Sequence, residues 1–255
     1  MYPVLFRIGT FEVTSFGGLV AVAALVALWL FGREARRSGL PEDTVNAAIW
    51  GVLGGLVGAK LLWTIEFSST APVTSLLFSR GGLSWFGGWL GGIATGLLLL
   101  RRAHVPIVRA LSAASPALAV GHAIGRIGCF LVGDDYGKPT DLPWGVAFPQ
   151  GLPPTDIPVH PTQLYETVLL LPVVALLLHW RHAGRDDRMV LGRYLVLAGT
   201  IRFGIEFVRI NRRIVGPFTL AQLIALTLVV IGFVLIVSRP KRGSTAKATV
   251  PFSQS

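Results

Sequence analysis

The chain has 255 residues, 52% of them hydrophobic and 14% charged, at a mean hydropathy of +0.63. A soluble domain carries about 25% charged residues, so this composition excludes an ordinary soluble globule and identifies an all-α polytopic membrane protein. The net charge of +10 does not signal nucleic acid, because the basic residues sit in short segments between apolar stretches, and the single cysteine, Cys129, excludes an intramolecular disulfide.

Met1 to Val13 lacks the basic and apolar regions of a cleavable signal peptide, so the first apolar segment is expected to direct insertion. Apolar stretches lie near 14–31, 44–65, 83–100, 110–132, 161–180, 190–208 and 217–238. Each is about 18–23 residues long, against roughly 20 needed to cross the hydrocarbon. About seven spans are expected, with six or eight as alternatives. The fourth is the weakest, since it carries His122 and Arg126. Glycine pairs at 54–55, 87–88 and 91–92 have the small-residue spacing that lets helices approach closely. The chain reads as one domain over 1–238 followed by a disordered cytoplasmic tail, 239–255.

Orientation follows from Lys and Arg. Arg33, Arg36, Arg37, Arg101, Arg102, Arg109, Arg181, Arg185, Arg188 and Arg193, with the tail, load one side; Arg7, Arg80, Lys138, Arg209, Arg212 and Arg213 lie on the other. The positive-inside rule then puts the N-terminus outside and the C-terminus in the cytoplasm. The longest connection, 133–160, rich in Pro, Gly and Asp, is therefore expected outside, as an irregular segment over a cavity mouth.

Charge inside or beside these spans marks the candidate site. An ionised side chain at a span centre costs roughly 2.5–3.5 kcal/mol on insertion scales, so such residues tend to line a cavity and act there. His122 and Arg126 are one helical turn apart, and Gly125, Gly128 and Gly137 give backbone access around the arginine. Arg126 either clamps an anion bidentately or ties helices through Asp134 or Glu206. Arg202, Glu206, Arg209 and Arg213 follow one helical face, the last two placed to snorkel. His160-Pro161 starts a helix that brings Gln163, Tyr165 and Glu166 into apolar surroundings. No His/Cys/Asp grouping has metal-ligand spacing, and no glycine-rich nucleotide loop joins a strand to a helix, so neither metal nor cofactor is expected.

Together these motifs resemble the bacterial prolipoprotein diacylglyceryl transferases: Gly125-Arg126-Ile127-Gly128 with Phe130 and Gly137, His160 to Glu166, and Arg202-x-x-x-Glu206-Phe207-x-Arg209. Gly82-Leu83-Ser84-Trp85 with Gly87-Gly88, and Thr219-Leu220-Ala221-Gln222, are similar to further segments of that family. The resemblance implies an enzyme of the bacterial cytoplasmic (inner) membrane. It moves the diacylglyceryl group of phosphatidylglycerol to the lipobox cysteine of a prolipoprotein signal peptide, with release of glycerol phosphate. It implies catalytic roles for Arg126, Arg202, Glu206 and Asp134. Substrate contacts are implied at Arg126, Gly125, Gly128, Gly137, His160, Gln163, Tyr165, Glu166, Ser84, Gly87, Gly88 and Arg209.

The chain departs from the family pattern. Phe86 stands where the family has His, Phe16 where it has Tyr, Cys129 and Val132 where it has Asn, and Asp134 where it has Glu. His122 either takes over the role of the missing His or only hydrogen-bonds within the bundle. A divergent paralogue with another acceptor, and a non-catalytic phospholipid-binding membrane protein, are the competing readings.

Overall fold

The computed structural model describes residues 4–9, 11–79 and 82–238; the tail expected at 239–255 lies outside them. Among the described residues, eight α-helices follow in order: α1 Ser15–Arg37, α2 Asp43–Glu66, the short α3 Val73–Leu77, α4 Trp85–Arg102, α5 Ile107–Val132, α6 Thr162–His182, α7 Asp187–Ile205 and α8 Leu220–Val237. Every apolar stretch read from the sequence is helical, the weak fourth one as α5. Among the described residues, five helices (α1, α2, α5, α6 and α8) are long and apolar enough to cross a membrane. The glycines, tryptophans and terminal arginines of α4, and the charges along α7, lower the hydropathy of those two helices.

The chain is not purely α. Among the described residues there are three antiparallel two-stranded hairpins: β1 Val4–Ile8 with β2 Phe11–Thr14 ahead of α1, β3 Val146–Phe148 with β4 Thr155–Val159 between α5 and α6, and β5 Arg213–Val215 with β6 Phe218–Thr219 between α7 and α8. Strands this short carry too few alternations for a period-two pattern to appear in the sequence. The expected irregular loop 133–160 is accordingly built around β3–β4, with Tyr136 stacked on Phe148 at 5.4 Å and Val159 buried beside them.

Helix ends follow local chemistry. Thr14 caps α1 by accepting from the Gly17 amide, and Asp186 caps α7 by accepting from the Arg188 and Met189 amides. Basic residues close α1, α4 and α6, where they complement the helix dipole.

α5 is the central helix, packed on α1, α6 and α7, while α2 pairs with α4 and α7 with α8. The α2–α4 contact is backbone on backbone. A Cβ on Gly58 would come 2.4 Å from the Gly87 carbonyl, and one on Gly91 would come 2.5 Å from the Gly54 carbonyl. Gly192 and Gly232 do the same for α7 and α8.

A buried ionic clamp ties the end of α1 to α5 and α6. Glu34 Oε2 accepts from Arg181 Nε at 2.8 Å, and Arg181 also donates to Ser38 Oγ and Ser112 Oγ. His182 Nε2 lies 3.2 Å from Glu34 Oε1. Around it, Leu30, Phe31, Ala35, Leu40, Ala47 and Leu100 form an apolar core.

Candidate active site

Arg126 on α5, Glu166 on α6 and Arg202 on α7 all lie in the halves of their helices nearest the 133–160 segment. Arg126 Nε lies 2.5 Å from Glu166 Oε2, and Arg202 Nη1 donates to Glu166 Oε1 at 2.9 Å. One turn on, Arg202 Nη2 meets Glu206 Oε2 at 2.8 Å, and Arg209 Nε lies 3.7 Å from the same oxygen. Arg209 Nη2 then donates to Asp135 Oδ1 at 2.6 Å, and Asp135 Oδ2 accepts from Arg126 Nη1 at 2.9 Å. Three arginines and three carboxylates thus alternate around a closed ring. Formal charges cancel within it, which is what permits so many ionisable groups to be buried together.

Neighbouring elements fix the ring. Glu206 stands where α7 gives way to a 3₁₀ turn, Glu206–Val208, and its Oε1 accepts from Asn211 Nδ2 at 2.7 Å and Thr219 Oγ1 at 2.8 Å. Thr219 is itself held in a capping box with Gln222 at the start of α8. Gly133 ends α5 in the left-handed region at φ 72°, and Asp135 follows at φ 61°. Gln163 Nε2 donates to the Asp134 carbonyl at 2.5 Å and Thr162 Oγ1 to the Asp135 carbonyl at 2.8 Å. The Lys138 amide donates to the Val208 carbonyl, so the segment after α5 is pinned to both α6 and the 3₁₀ turn.

Arg126 is tied to Asp135 and Glu166, and among the described residues neither Asp134 nor Glu206 forms an ion pair with it. The reason is the turn at Gly133, which carries Asp134 past the guanidinium and delivers Asp135 to it. Asp135 is the site residue that sequence reasoning missed, although it stood beside Asp134 in the motif. Burial pushes the Asp134 carboxyl above its ordinary value, and its Oδ1 is buried without a hydrogen bond. Partial burial alone would raise Asp135 too, but Arg209 and Arg126 hold it below the usual carboxylate range.

The ring keeps unused donors. Arg126 Nη2 and Arg209 Nη1 are buried and make no hydrogen bond, while the two side chains are only 9% and 5% exposed. Buried guanidinium N–H groups without acceptors are uncommon and mark a place suited to an anion.

The remaining candidates divide. His122 Nε2 lies 3.7 Å from Glu166 Oε2, its side chain about half exposed. Gly125 has open space where a Cβ would go, whereas Gly128 packs against Leu19 and Phe16, and a Cβ on Gly137 would strike the Val208 carbonyl at 2.5 Å. His160 Nδ1 lies 3.2 Å from Tyr165 Oη, which also accepts from Trp144 Nε1, a cluster facing the loop. Ser84 donates to Glu66 Oε1 at 3.2 Å; Gly87 touches α2 backbone, and Gly88 faces Ala59 and Gly55. Phe16 and Phe86 are both exposed at the bundle surface. Cys129 Sγ is buried 3.6 Å from Arg126 Nη1.

In the opposite half of the bundle, a cavity of about 630 Å³ runs between α1, α2, α4 and α5, lined by residues such as Ala27, Phe31, Ala47, Gly51, Ile93 and Ala114. Its walls are almost wholly apolar, so it suits hydrocarbon.

The sequence model of the prolipoprotein diacylglyceryl transferase family matches residues 3–238. A Geobacter sulfurreducens protein named phosphatidylglycerol–prolipoprotein diacylglyceryl transferase is 34% identical over 257 residues, covering 94% of this chain and 97% of its own. Proteins of the same name from Clostridium tetani (32% identical, 94% and 98% covered) and Vibrio cholerae (33% identical, 94% and 92% covered) are similar at comparable level. With both the family motifs and nearly the whole length matched, the chain belongs to the prolipoprotein diacylglyceryl transferase family.

Proposed function

We propose that this membrane transferase moves the diacylglyceryl group of phosphatidylglycerol onto the lipobox cysteine thiol of a prolipoprotein, releasing glycerol phosphate. The observation that carries the reading is the ring joining Arg126, Arg202 and Arg209, in which buried guanidinium N–H groups of Arg126 and Arg209 are left unused. In this reaction the bond between a diacylglycerol carbon and a phosphate oxygen breaks while a carbon–sulfur bond forms. The phosphodiester monoanion becomes a phosphomonoester, and preorganised arginines stabilise the charge that develops on its oxygen. Residues already fixed by Glu166 and Glu206 need little reorganisation to do so.

The thiol must lose its proton, since the thiolate is the nucleophile. The Asp134 carboxyl, raised by burial and with a free Oδ1, is the group placed to accept it. His122 contacts Glu166 and is assigned the orientation of that carboxylate. Gly125 leaves room beside Arg126 for a headgroup, and the apolar cavity offers space for acyl chains.

The same reading sets the protein in the bacterial cytoplasmic membrane as one domain over 1–238 with seven spans, N-terminus outside, the ring in the outer half and residues 239–255 as a cytoplasmic tail. Donor lipid and the acceptor's signal peptide then reach the ring laterally from the bilayer. The test is turnover with phosphatidylglycerol and a lipobox peptide, following thioether-linked lipid and glycerol phosphate in the wild type and in Arg126→Ala.

A further inference from the structure

We propose that Asp135 is a built-in placeholder for the donor's phosphodiester, a carboxylate that occupies the anion site when empty and is displaced from its arginines when phospholipid binds. The inference rests on the phosphatidylglycerol reading above and adds to it a residue controlling entry to the site.

Several observations converge on Asp135. Its two oxygens bridge Arg209 Nη2 at 2.6 Å and Arg126 Nη1 at 2.9 Å, the two-pronged arrangement a phosphodiester makes with paired guanidinium groups. The other two carboxylates of the ring are almost completely buried, at 2% and 0% side-chain exposure for Glu166 and Glu206, whereas Asp135 is 50% exposed. Asp135 is therefore the member of the ring that can leave without carrying a naked charge into the protein interior. The arginines it bridges are the ones that keep a buried donor unused, Nη2 of Arg126 and Nη1 of Arg209. The planar carboxylate leaves these donors unused, whereas a tetrahedral phosphodiester, with two anionic and two ester oxygens, offers acceptors in more directions.

The backbone is arranged so that the side chain can move by itself. Asp135 sits at φ 61°, a left-handed conformation that Asp adopts more readily than most side-chain-bearing residues, and its carbonyl is anchored by Thr162 Oγ1. The preceding carbonyl is anchored by Gln163, so rotation about χ1 swings the carboxylate outward while the main chain stays in place. Once Asp135 has left, the arginines present an uncompensated positive charge to the incoming headgroup. Without lipid, the carboxylate restores neutrality.

The experiment titrates the purified full chain, in nonionic detergent, with phosphatidylglycerol, comparing wild type, Asp135→Asn, Asp135→Glu and Arg126→Ala, with thermal unfolding run on each. A placeholder competes with the donor, so Asp135→Asn is expected to bind phosphatidylglycerol roughly tenfold tighter, the scale of one charge-assisted contact. Asp135→Glu keeps the competitor and should stay near wild type. Equal or weaker binding by Asp135→Asn, or failure of that variant to fold, overturns the proposal, because the carboxylate is then a structural member of the ring. If the wild type does not bind phosphatidylglycerol at all, the functional reading itself fails. If the wild type binds in an Arg126-dependent way and Asp135→Asn binds no tighter, the placeholder alone is lost.

Discussion

Glu166 receives Arg126 on Oε2 at 2.5 Å, and its other oxygen is taken by Arg202 at 2.9 Å. One carboxylate therefore sets the spacing of two guanidinium groups that belong to different helices, α5 and α7, neither of which contacts the other through a charge of its own. The arrangement makes Glu166 the positioning residue of the site. Glu166→Gln leaves both arginines under-compensated in a buried place, and such loss of one partner costs about 3–5 kcal/mol. Thermal unfolding in detergent should show a clear drop in midpoint, together with loss of turnover. A Glu166→Gln protein with unchanged midpoint and rate would show that the arginines are held by other contacts.

Proton transfer separates Asp134 from His122. If Asp134 accepts the thiol proton, Asp134→Asn should lower turnover by about 10²–10⁴-fold, the usual contribution of a general base, while His122→Ala should keep most of it. The sign of the pH dependence follows from the raised Asp134 carboxyl: the working form is the carboxylate, so activity should fall with pH from a higher point than an ordinary aspartate would give. Asp135 behaves in the opposite way. Its lowered value stabilises the folded ring above the ordinary aspartate range, and that contribution disappears as pH falls through its folded-state value. The pH–rate profiles of the wild type and Asp134→Asn make the check.

The α2–α4 contact predicts a strong response to single methyl groups. Gly58→Ala and Gly91→Ala each place a Cβ within 2.5 Å of a carbonyl oxygen on the facing helix, and the clash can be relieved only by helix separation. Overpacking of this kind costs about 1–3 kcal/mol. Gly125→Ala, with open space at its Cβ, should leave the unfolding midpoint within a degree or two and alter phosphatidylglycerol affinity instead. Thermal scans of the three variants side by side give the comparison.

The clamp around Glu34 predicts non-additivity. Arg181→Met strands a buried carboxylate, and Glu34→Leu strands a buried guanidinium, so each alone is expected to destabilise the bundle. Combined with Glu34→Leu, Arg181→Met should recover much of the loss, since apolar replacement of both partners removes the stranded charge. A double variant that is the simple sum of the singles would show that the two residues act independently.

Helix positions were legible in the sequence because spans are long and apolar: the stretches read at 44–65 and 110–132 differ from α2 and α5 by a few residues at their ends. The hairpins were not, since pairs such as Arg213–Val215 with Phe218–Thr219 are too short to leave a pattern. For the site, intramembrane charge pointed to Arg126, Glu166, Arg202 and Glu206, and the structure brings all four together. Asp135 was hidden because Asp134 and Asp135 are indistinguishable by composition. The left-handed turn at Gly133, a backbone property, decides which carboxylate meets the arginine. Likewise Gly128 and Gly137 lay in the site motif, yet one serves the α1–α5 contact and the other the close approach of the 3₁₀ turn. Glycine has the same sequence signature in both roles.

The most direct measurement of the central claim is turnover by purified protein supplied with phosphatidylglycerol and a lipobox peptide. Thioether-linked lipid and glycerol phosphate should appear in equal amounts, and Arg126→Ala should lower the rate by about 10²–10³-fold, the scale of losing one preorganised donor to the developing charge. Peptide left unmodified by the wild type, or turnover unchanged in Arg126→Ala, would contradict a transferase built on the arginine ring.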